Sequence, residues 1–367
     1  MVKGPDGLPV ANAQLTIGKG PSSLQKKTNS SGEVQVTIDS SAPISLAVSA
    51  TGFQNYQLAA TPAAVIEVRL EVQSIAERIT VRAASIVGGE TQLGQIPGSV
   101  DILDSKTLLE SRLFTFDEAL RKAPGINTRP EEGFGLRPNI GIRGINPTRS
   151  TRVLLLEDGL PLSYAPYGDN ASYYHPPVDR FDTVEVVKGS GQILYGPMTV
   201  AGVVNYVTPA IPSRASGLLS LTGGNRDYLN AHVRYGGTFR GTGLMMDAVR
   251  KQGEGSRDNV RAGLNDVTFK TLSTLSPRTT LSLKGNVYTE DSRVTYSGLR
   301  LDEYLADPRQ NPFRNDAFYG KRYGGAAQLS HALKSDLIFS AALYGSAFDR
   351  DWWRQSSNSG QRPANIA

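Results

Sequence analysis

Residues 184–209 read VEVVKGSGQILYGPMTVAGVVNYVTP. An apolar strand running into a glycine loop is how many phosphate cradles begin, and Gly191 and Gly196 have the G-x-x-x-x-G spacing of a P-loop. A P-loop also needs Lys and then Ser or Thr directly after its second glycine, whereas Gly196 is followed by Pro197 and Met198. No G-x-G-x-x-G occurs either. The stretch reads instead as a strand, a turn-rich segment and a second strand at 203–207. The glycines at 189, 191, 196 and 202 let the chain turn tightly against its neighbours.

The surrounding composition narrows the class. The chain has 367 residues, 38 of them Gly and 21 Pro, which suits many turns and strands. It has no cysteine, which removes thiol catalysis, thiolate metal sites and disulfides together. The formal charge of +5 comes from basic residues scattered along the chain, with none of the clustered stripe that nucleic-acid binding needs. No apolar run reaches the about 18 residues of a membrane-spanning helix. A barrel stays open, because its strands alternate and never make such a run. The first residues, MVKGPDGLPV, lack the apolar core of an export signal, so the chain reads either as cytoplasmic or as beginning after its true start.

Four segments follow along the chain. Residues 1–72 read as a small all-β sandwich with strands at 13–17, 33–38, 44–48 and 65–70, separated by turns such as Gly4-Pro5-Asp6-Gly7. Residues 73–89 hold the β-prone run Glu77, Arg78, Ile79, Thr80, Val81, either a linker or a strand free to add to another protein's sheet edge. Residues 90–212 mix α and β: a strand at 99–103, a helix capped by Asp104 or Ser105, a second helix with Thr115 and Glu118 as capping box, and buried strands at 152–156 and 184–187. Residues 213–367 carry about seven long alternating strands, joined by short turns near 236–243, 276–279 and 333–336 and by longer loops at 252–262 and 292–321. Short turns on one side and long loops on the other are an outer-membrane barrel pattern. Seven strands are too few to close such a barrel, so the expectation is an incomplete transmembrane antiparallel β-barrel whose chain ends inside its last domain.

The motifs then converge. LRKAPGI at 120–126, NIGIRG at 139–144, LLEDGLP at 155–161 and the opening stretch resemble, in this order, the plug of a TonB-dependent outer-membrane receptor. The first segment, through DGLPVANAQLTI, TNSSGEV and SATGFQNYQL, resembles a carboxypeptidase regulatory-like (transthyretin-like) module without its first strand. PNIGIRGINPTRS, APYG and ADPRQNPFRNDAF resemble the ferric-citrate-receptor branch. The resemblance implies a receptor in the outer membrane of a Gram-negative bacterium, surrounded by lipid, that takes up a scarce solute such as a ferric chelate and uses no cofactor. It implies coupling to periplasmic TonB, with ExbB and ExbD, through Glu77 to Val81 as the TonB box. It further implies a plug–barrel lock at Arg143, with Lys188 where the family commonly has arginine. Arg149, Arg152 and Tyr167 are then expected either to contact an anionic chelate or to tie loops together.

Other classes have less support. His175, His232 and His331 are far apart without metal-ligand spacing, so each reads as a surface or loop histidine. Ser190 lies in GSGQ rather than in a G-x-S-x-G elbow, and Glu131 and Glu132 lie in a Gly/Pro loop where carboxylates are solvated. Two alternatives remain: the same receptor architecture importing an oligosaccharide or peptide, and a truncated chain without transport activity by itself.

Overall fold

The computed structural model describes residues 1–4, 7–18, 23–37, 43–50, 53, 56–61, 65–70, 85–86, 96–130, 134–163, 173–189, 195–196, 199–295, 297–333 and 337–355. The candidate coupling run at 77–81 and Tyr167 lie outside these residues. The chain divides into two compact units, Met1–Arg78 and Ile79–Ala367.

In the first unit, β1 (Val2–Lys3), β2 (Gln14–Ile17), β3 (Leu24–Lys27), β4 (Ile44–Ser49), β5 (Tyr56–Ala60) and β6 (Val68–Arg69) form two sheets. One is four-stranded in the order β3-β2-β4-β5, and the other pairs β1 with β6 in parallel. Val2, Ala13, Leu15, Leu46, Val48, Val68 and Leu70 form its core. The segment expected as a strand at 33–38 makes no ladder over 33–37; Val34 still packs against the core, so its alternation reports burial without pairing. The sheet edge is instead β3, LQKK, which is wholly exposed. A charged edge of this kind discourages pairing with other chains, and its lack of alternation hides it from a pattern reading.

The second unit begins with a mixed sheet. Its strands are β7 (Ser99–Leu103), β10 (Val153–Glu157), β11 (Leu160–Pro161), β12 (Thr183–Lys188) and β13 (Gly202–Val207), with β8 (Ile126–Pro130) paired to β9 (Pro138–Ile142) beside it. The order β11-β10-β13-β12-β7 places the opening stretch at the centre: β12 runs antiparallel to β13, and β13 parallel to β10. Two short helices cover one face. Asp104 caps α1 (Ser105–Glu110) by accepting the Thr107 amide at 2.8 Å. Thr115 and Glu118 form the expected capping box of α2 (Phe116–Leu120). Phe116 enters an aromatic cluster with His175, Phe181 and Tyr206, at 4.4 Å from His175 and 4.5 Å from Tyr206. Close packing of this kind, more than helix propensity, holds helices of one to two turns in place.

The glycines of the opening stretch do turn the chain. Gly189 leaves β12 at φ +105° and lies against Gly98, itself at φ +118°. A Cβ on Gly98 would stand 2.2 Å from the Lys188 carbonyl oxygen, so neither the conformation nor the space admits a side chain.

The remaining strands, β14 (Ser216–Gly223), β15 (Leu229–Phe239), β16 (Thr242–Glu254), β17 (Arg261–Ser276), β18 (Thr279–Arg293), β19 (Ala317–Ala332) and β20 (Ile338–Trp353), form one antiparallel sheet in sequence order. Helix α3 (Leu301–Ala306) interrupts the longest connection. Among the described residues no helix is long and apolar enough to cross a membrane. The strands suit that role: from β15 onward each has at least the about 9–11 residues that a tilted strand needs to span a bilayer. On β16 and β17, Leu244, Met246, Val267 and Phe269 are exposed on one face, while Met245, Asp247, Lys251, Leu264, Asp266 and Lys270 are buried on the other. That second face receives the mixed domain. Replacing Gly98 with alanine is expected to lower stability by about 1–3 kcal/mol, as overpacking does, read as a lower urea midpoint for the detergent-solubilised chain; an unchanged midpoint would show that the Lys188 contact can relax.

Candidate functional site

Among the described residues, ten charged side chains form a paired network where the mixed domain touches the inner face of the strand wall. Their centre is Arg180, in the loop before β12, 1% exposed. It pairs with Glu157 at the end of β10 and, at 3.0 Å, with Asp266 on β17, and it donates to the Tyr174 hydroxyl at 3.2 Å. Lys284 of β18 reaches both Glu157 (3.0 Å) and the adjacent Asp158 (2.8 Å). Lys270 of β17 comes within 4.0 Å of Asp158 and donates to Thr208 at 2.7 Å, while the Thr208 amide donates to Asp158 at 2.8 Å. Two further pairs flank this centre: Arg137 with Glu290 of β18 at 2.9 Å, and Asp179 with Lys251 of β16 at 2.6 Å. Each side contributes both signs, and the ten charges cancel.

Burying so many charges is tolerable only because they are paired and hydrogen-bonded. Asn286 donates to Asp266 at 3.1 Å, the Tyr288 hydroxyl to Glu290 at 2.8 Å, and Asn230 to Asp179 at 2.9 Å. The Arg137 guanidinium also stacks 4.2 Å from the centre of the Phe318 ring. Burial by itself would raise the Glu157 carboxyl, but Arg180 and Lys284 more than reverse this and hold it at about 2. Asp158 is likewise held well below the usual carboxylate range, burial being outweighed by Lys284 and Lys270. His175 behaves oppositely. Burial pushes it down to about 3, its Nδ1 lies 3.0 Å from the Pro176 carbonyl, and its Nε2 lies 2.8 Å from the Tyr206 hydroxyl. It is therefore neutral, donating through Nδ1 and accepting the Tyr206 proton at Nε2.

Among the described residues, neither residue expected in the lock pairs with the strand wall. Arg143 is exposed, with φ +54°, in the turn after β9, where its amide donates to the Gly125 carbonyl at 2.8 Å. Lys188 is buried but pairs with Asp101 of β7 and donates to the Pro124 carbonyl at 2.7 Å, tying the end of α2 to its own sheet. Arg180 and Arg137 take the bridging role. They lie in loops, in VDRF and GLRP, without strand periodicity to single them out. The wall residues of the network were more visible: Lys251, Asp266, Lys270, Lys284 and Glu290 all fall on the inward phase of alternating strands. Two histidines read as surface or loop residues are also buried, His175 in the aromatic cluster and His232 beside Asp247 at 3.0 Å.

A second feature lies towards the wall end that carries the long 294–316 connection. Arg149 donates to the Tyr173 hydroxyl, and its guanidinium stands 5.0 Å from that ring and 5.7 Å from the Trp352 ring. Arg350 of β20 lies over the same Tyr173 ring at 3.8 Å. Two guanidinium groups on an aromatic platform make a cationic, partly apolar patch. Arg152 is exposed at the start of β10 and is not part of it. Among the described residues no group of three or more acidic or histidine side chains is placed to hold a metal ion.

Residues 92–203 match the TonB-dependent receptor plug domain family. The vitamin B12 transporter BtuB of Vibrio vulnificus is 30% identical over 156 residues, which are 42% of this chain and 25% of that protein. An iron-regulated outer membrane virulence protein of Vibrio cholerae is 26% identical over 212 residues, 53% of this chain and 31% of that protein. Among solved structures, the unliganded ferric citrate transporter FecA superposes with a TM-score of 0.67 at 25% identity, over 74% of this chain and 43% of that one. The ferripyoverdine receptor of Pseudomonas aeruginosa shares the fold, with a TM-score of 0.60 at 15% identity over 79% of this chain and 40% of that one. This chain therefore spans less than half the length of these relatives.

Removing Arg180 as alanine leaves Asp266 and Glu157 buried without their shared partner and is expected to cost about 3–5 kcal/mol, seen as faster proteolysis of residues 92–203 in the detergent-solubilised chain. A rate equal to the parent's would show that Lys284 and Asn286 suffice. The interface should also be acid-labile in a defined window. Because the folded Glu157 lies below its ordinary value of 4.5, its pairing contributes fully above that value and is lost as pH falls towards about 2. An acid titration followed by Trp352 and Trp353 fluorescence should move in that window and shift upward when Lys284 is replaced by methionine.

Proposed function

We propose that this chain, which belongs to the TonB-dependent receptors, serves the active uptake of a scarce anionic chelate, most simply ferric citrate or another iron chelate, across a Gram-negative outer membrane. The observation that carries the reading is a plug docked through a neutral, fully paired ion network onto the inner face of a wall whose outer face is apolar. Such an interface seals a pore through paired charges, with apolar contacts such as Phe134 against Val260, Ala262 and Val294 beside them. The iron is cargo, bound within its chelate, and the relatives are receptors and transporters rather than enzymes. Residues 1–72 are proposed as a regulatory-like sandwich, 73–89 as the linker with the TonB box, 90–212 as plug and 213–367 as barrel strands.

Arg149 and Arg350 on their aromatic platform are the proposed contacts for the chelate's carboxylates, because planar guanidinium groups bind carboxylates with two parallel hydrogen bonds. Arg152 and Tyr167 are kept as candidate contacts from the sequence. The similarity to the vitamin B12 transporter favours a corrinoid as the second reading. Coupling is assigned to Glu77, Arg78, Ile79, Thr80 and Val81, which add a strand to TonB driven by ExbB and ExbD.

Calorimetry on the full-length protein should show saturable binding of ferric citrate in preference to cyanocobalamin and oligosaccharides. Arg149→Ala should weaken it about 10- to 100-fold, the range for a lost charge-assisted hydrogen bond. Absence of ferric citrate binding alongside tight cyanocobalamin binding would establish the second reading. Ile79→Pro, which removes a backbone donor from the coupling strand, should abolish uptake while leaving ligand affinity unchanged.

A further inference from the structure

The plug sheet has two buried faces, and the chain that enters the plug is fastened to the second. Leu155, Val184, Val186 and Val204 face the main core, whereas Leu154, Leu156 and Val203 face away from it and are covered by Ile86 and Tyr195. Glu185 alternates onto this second face, directly opposite Asn205 on β13. It is 3% exposed and is satisfied by neutral donors: the Ser85 hydroxyl, the Ile86 amide at 2.9 Å and the Asn205 side-chain amide at 2.8 Å. The Tyr195 hydroxyl completes the fastening by donating to the Ile86 carbonyl at 3.0 Å. Among the described residues Glu185 makes no ion pair, unlike Glu157, Asp158 and Asp179.

We propose that Glu185 is a release latch, which clips Ser85 and Ile86 to the plug and must open before a pull on the preceding segment can load the plug itself. The proposal rests on the coupling assigned above to residues 77–81, which end four residues before Ser85. Its physical basis is the asymmetry of a buried carboxylate. With Ser85 and Ile86 in place, its lone pairs are filled by three donors. With them withdrawn, two of the three are lost and a charge without a cation is left facing an apolar surface. Such a state is costly, so the clip closes firmly and opens as a unit.

The latch also sits at one end of a bonded path. Asn205, which holds Glu185 through Nδ2, accepts the Gly159 amide at its Oδ1 at 2.9 Å. Gly159 follows Asp158, whose carboxylate holds Lys284 of the wall. Opening the latch leaves Asn205 to hold the Glu185 carboxylate without Ser85 and Ile86, which links the state of the latch to the turn that carries the plug–wall contact.

Glu185→Ala and Ser85→Ala in the full-length protein test this. Hydrogen exchange at the Ile86 amide is the local readout, and binding of the periplasmic domain of TonB without solute is the functional one. Exchange at Ile86 should quicken by about tenfold or more in Glu185→Ala, the lower bound for a lost hydrogen bond to a charged group, and by less in Ser85→Ala. The amides of Val186 and Val204 should stay protected, showing that the plug is folded. TonB should bind both variants more tightly than the parent. If Glu185→Ala unfolds the plug, Ser85→Ala carries the test alone, because it leaves the Glu185 carboxylate and its Asn205 and Ile86 donors in place. Unchanged Ile86 exchange, or faster exchange with unchanged TonB affinity, overturns the latch while the coupling reading stands. Failure of TonB to bind parent and variants alike removes the coupling reading, and the latch with it.

Discussion

A charge taken out of water must be neutralised by a partner, and the second unit of this protein is organised around that requirement. Arg180 alone would make the plug–wall contact untenable. With Glu157 from its own sheet, Asp266 from β17, and Lys284 balancing the two plug carboxylates, the same burial becomes a specific joint. The elements around it are arranged to deliver these groups. β10 ends at Glu157, a left-handed turn follows at Asp158 with φ +51°, and the inward phase of β17 and β18 presents the partners. The aromatic cluster of Phe116, His175, Phe181 and Tyr206 backs the joint with rigid packing.

The ion pairs that stand beside the apolar contacts of this interface have a mechanical meaning. An apolar interface of this area would resist separation by exposing hydrocarbon to water, and it would stay open only at that cost. Ion pairs that separate can be resolvated one by one, since water replaces each partner with bonds nearly as good. The joint is thus firm while dry and yields progressively once wetted, which suits the uptake role proposed above.

Much of this was legible in the sequence wherever the cause is local. The helix caps at Asp104 and Thr115, the alternation of the wall strands, the order of short and long connections and the glycine turn at 189 depend on neighbours a few residues away, and the structure has them. What is long-range was not legible. Arg143 stands after an apolar strand and before a glycine, the setting expected of a buried arginine, yet it lies in a turn at φ +54° and is exposed. Arg180, in a loop of Pro, Val and Asp, finds its partner on a strand distant in sequence. A pattern reading registers which wall residues point inward but not which plug residue meets each of them. The 33–38 segment shows the same limit in reverse: its alternation signalled a buried face, and pairing depended on a partner elsewhere.

The interleaving of signs across the joint makes plug and wall parts of one lock. Both sides contribute cations and anions, so exchanging any one of these side chains for an apolar one would strand a charge. Changes at Asp158 and Lys284, or at Arg137 and Glu290, are therefore tolerable only together. Descent should record them as paired substitutions, with the two halves of the protein inherited as one unit.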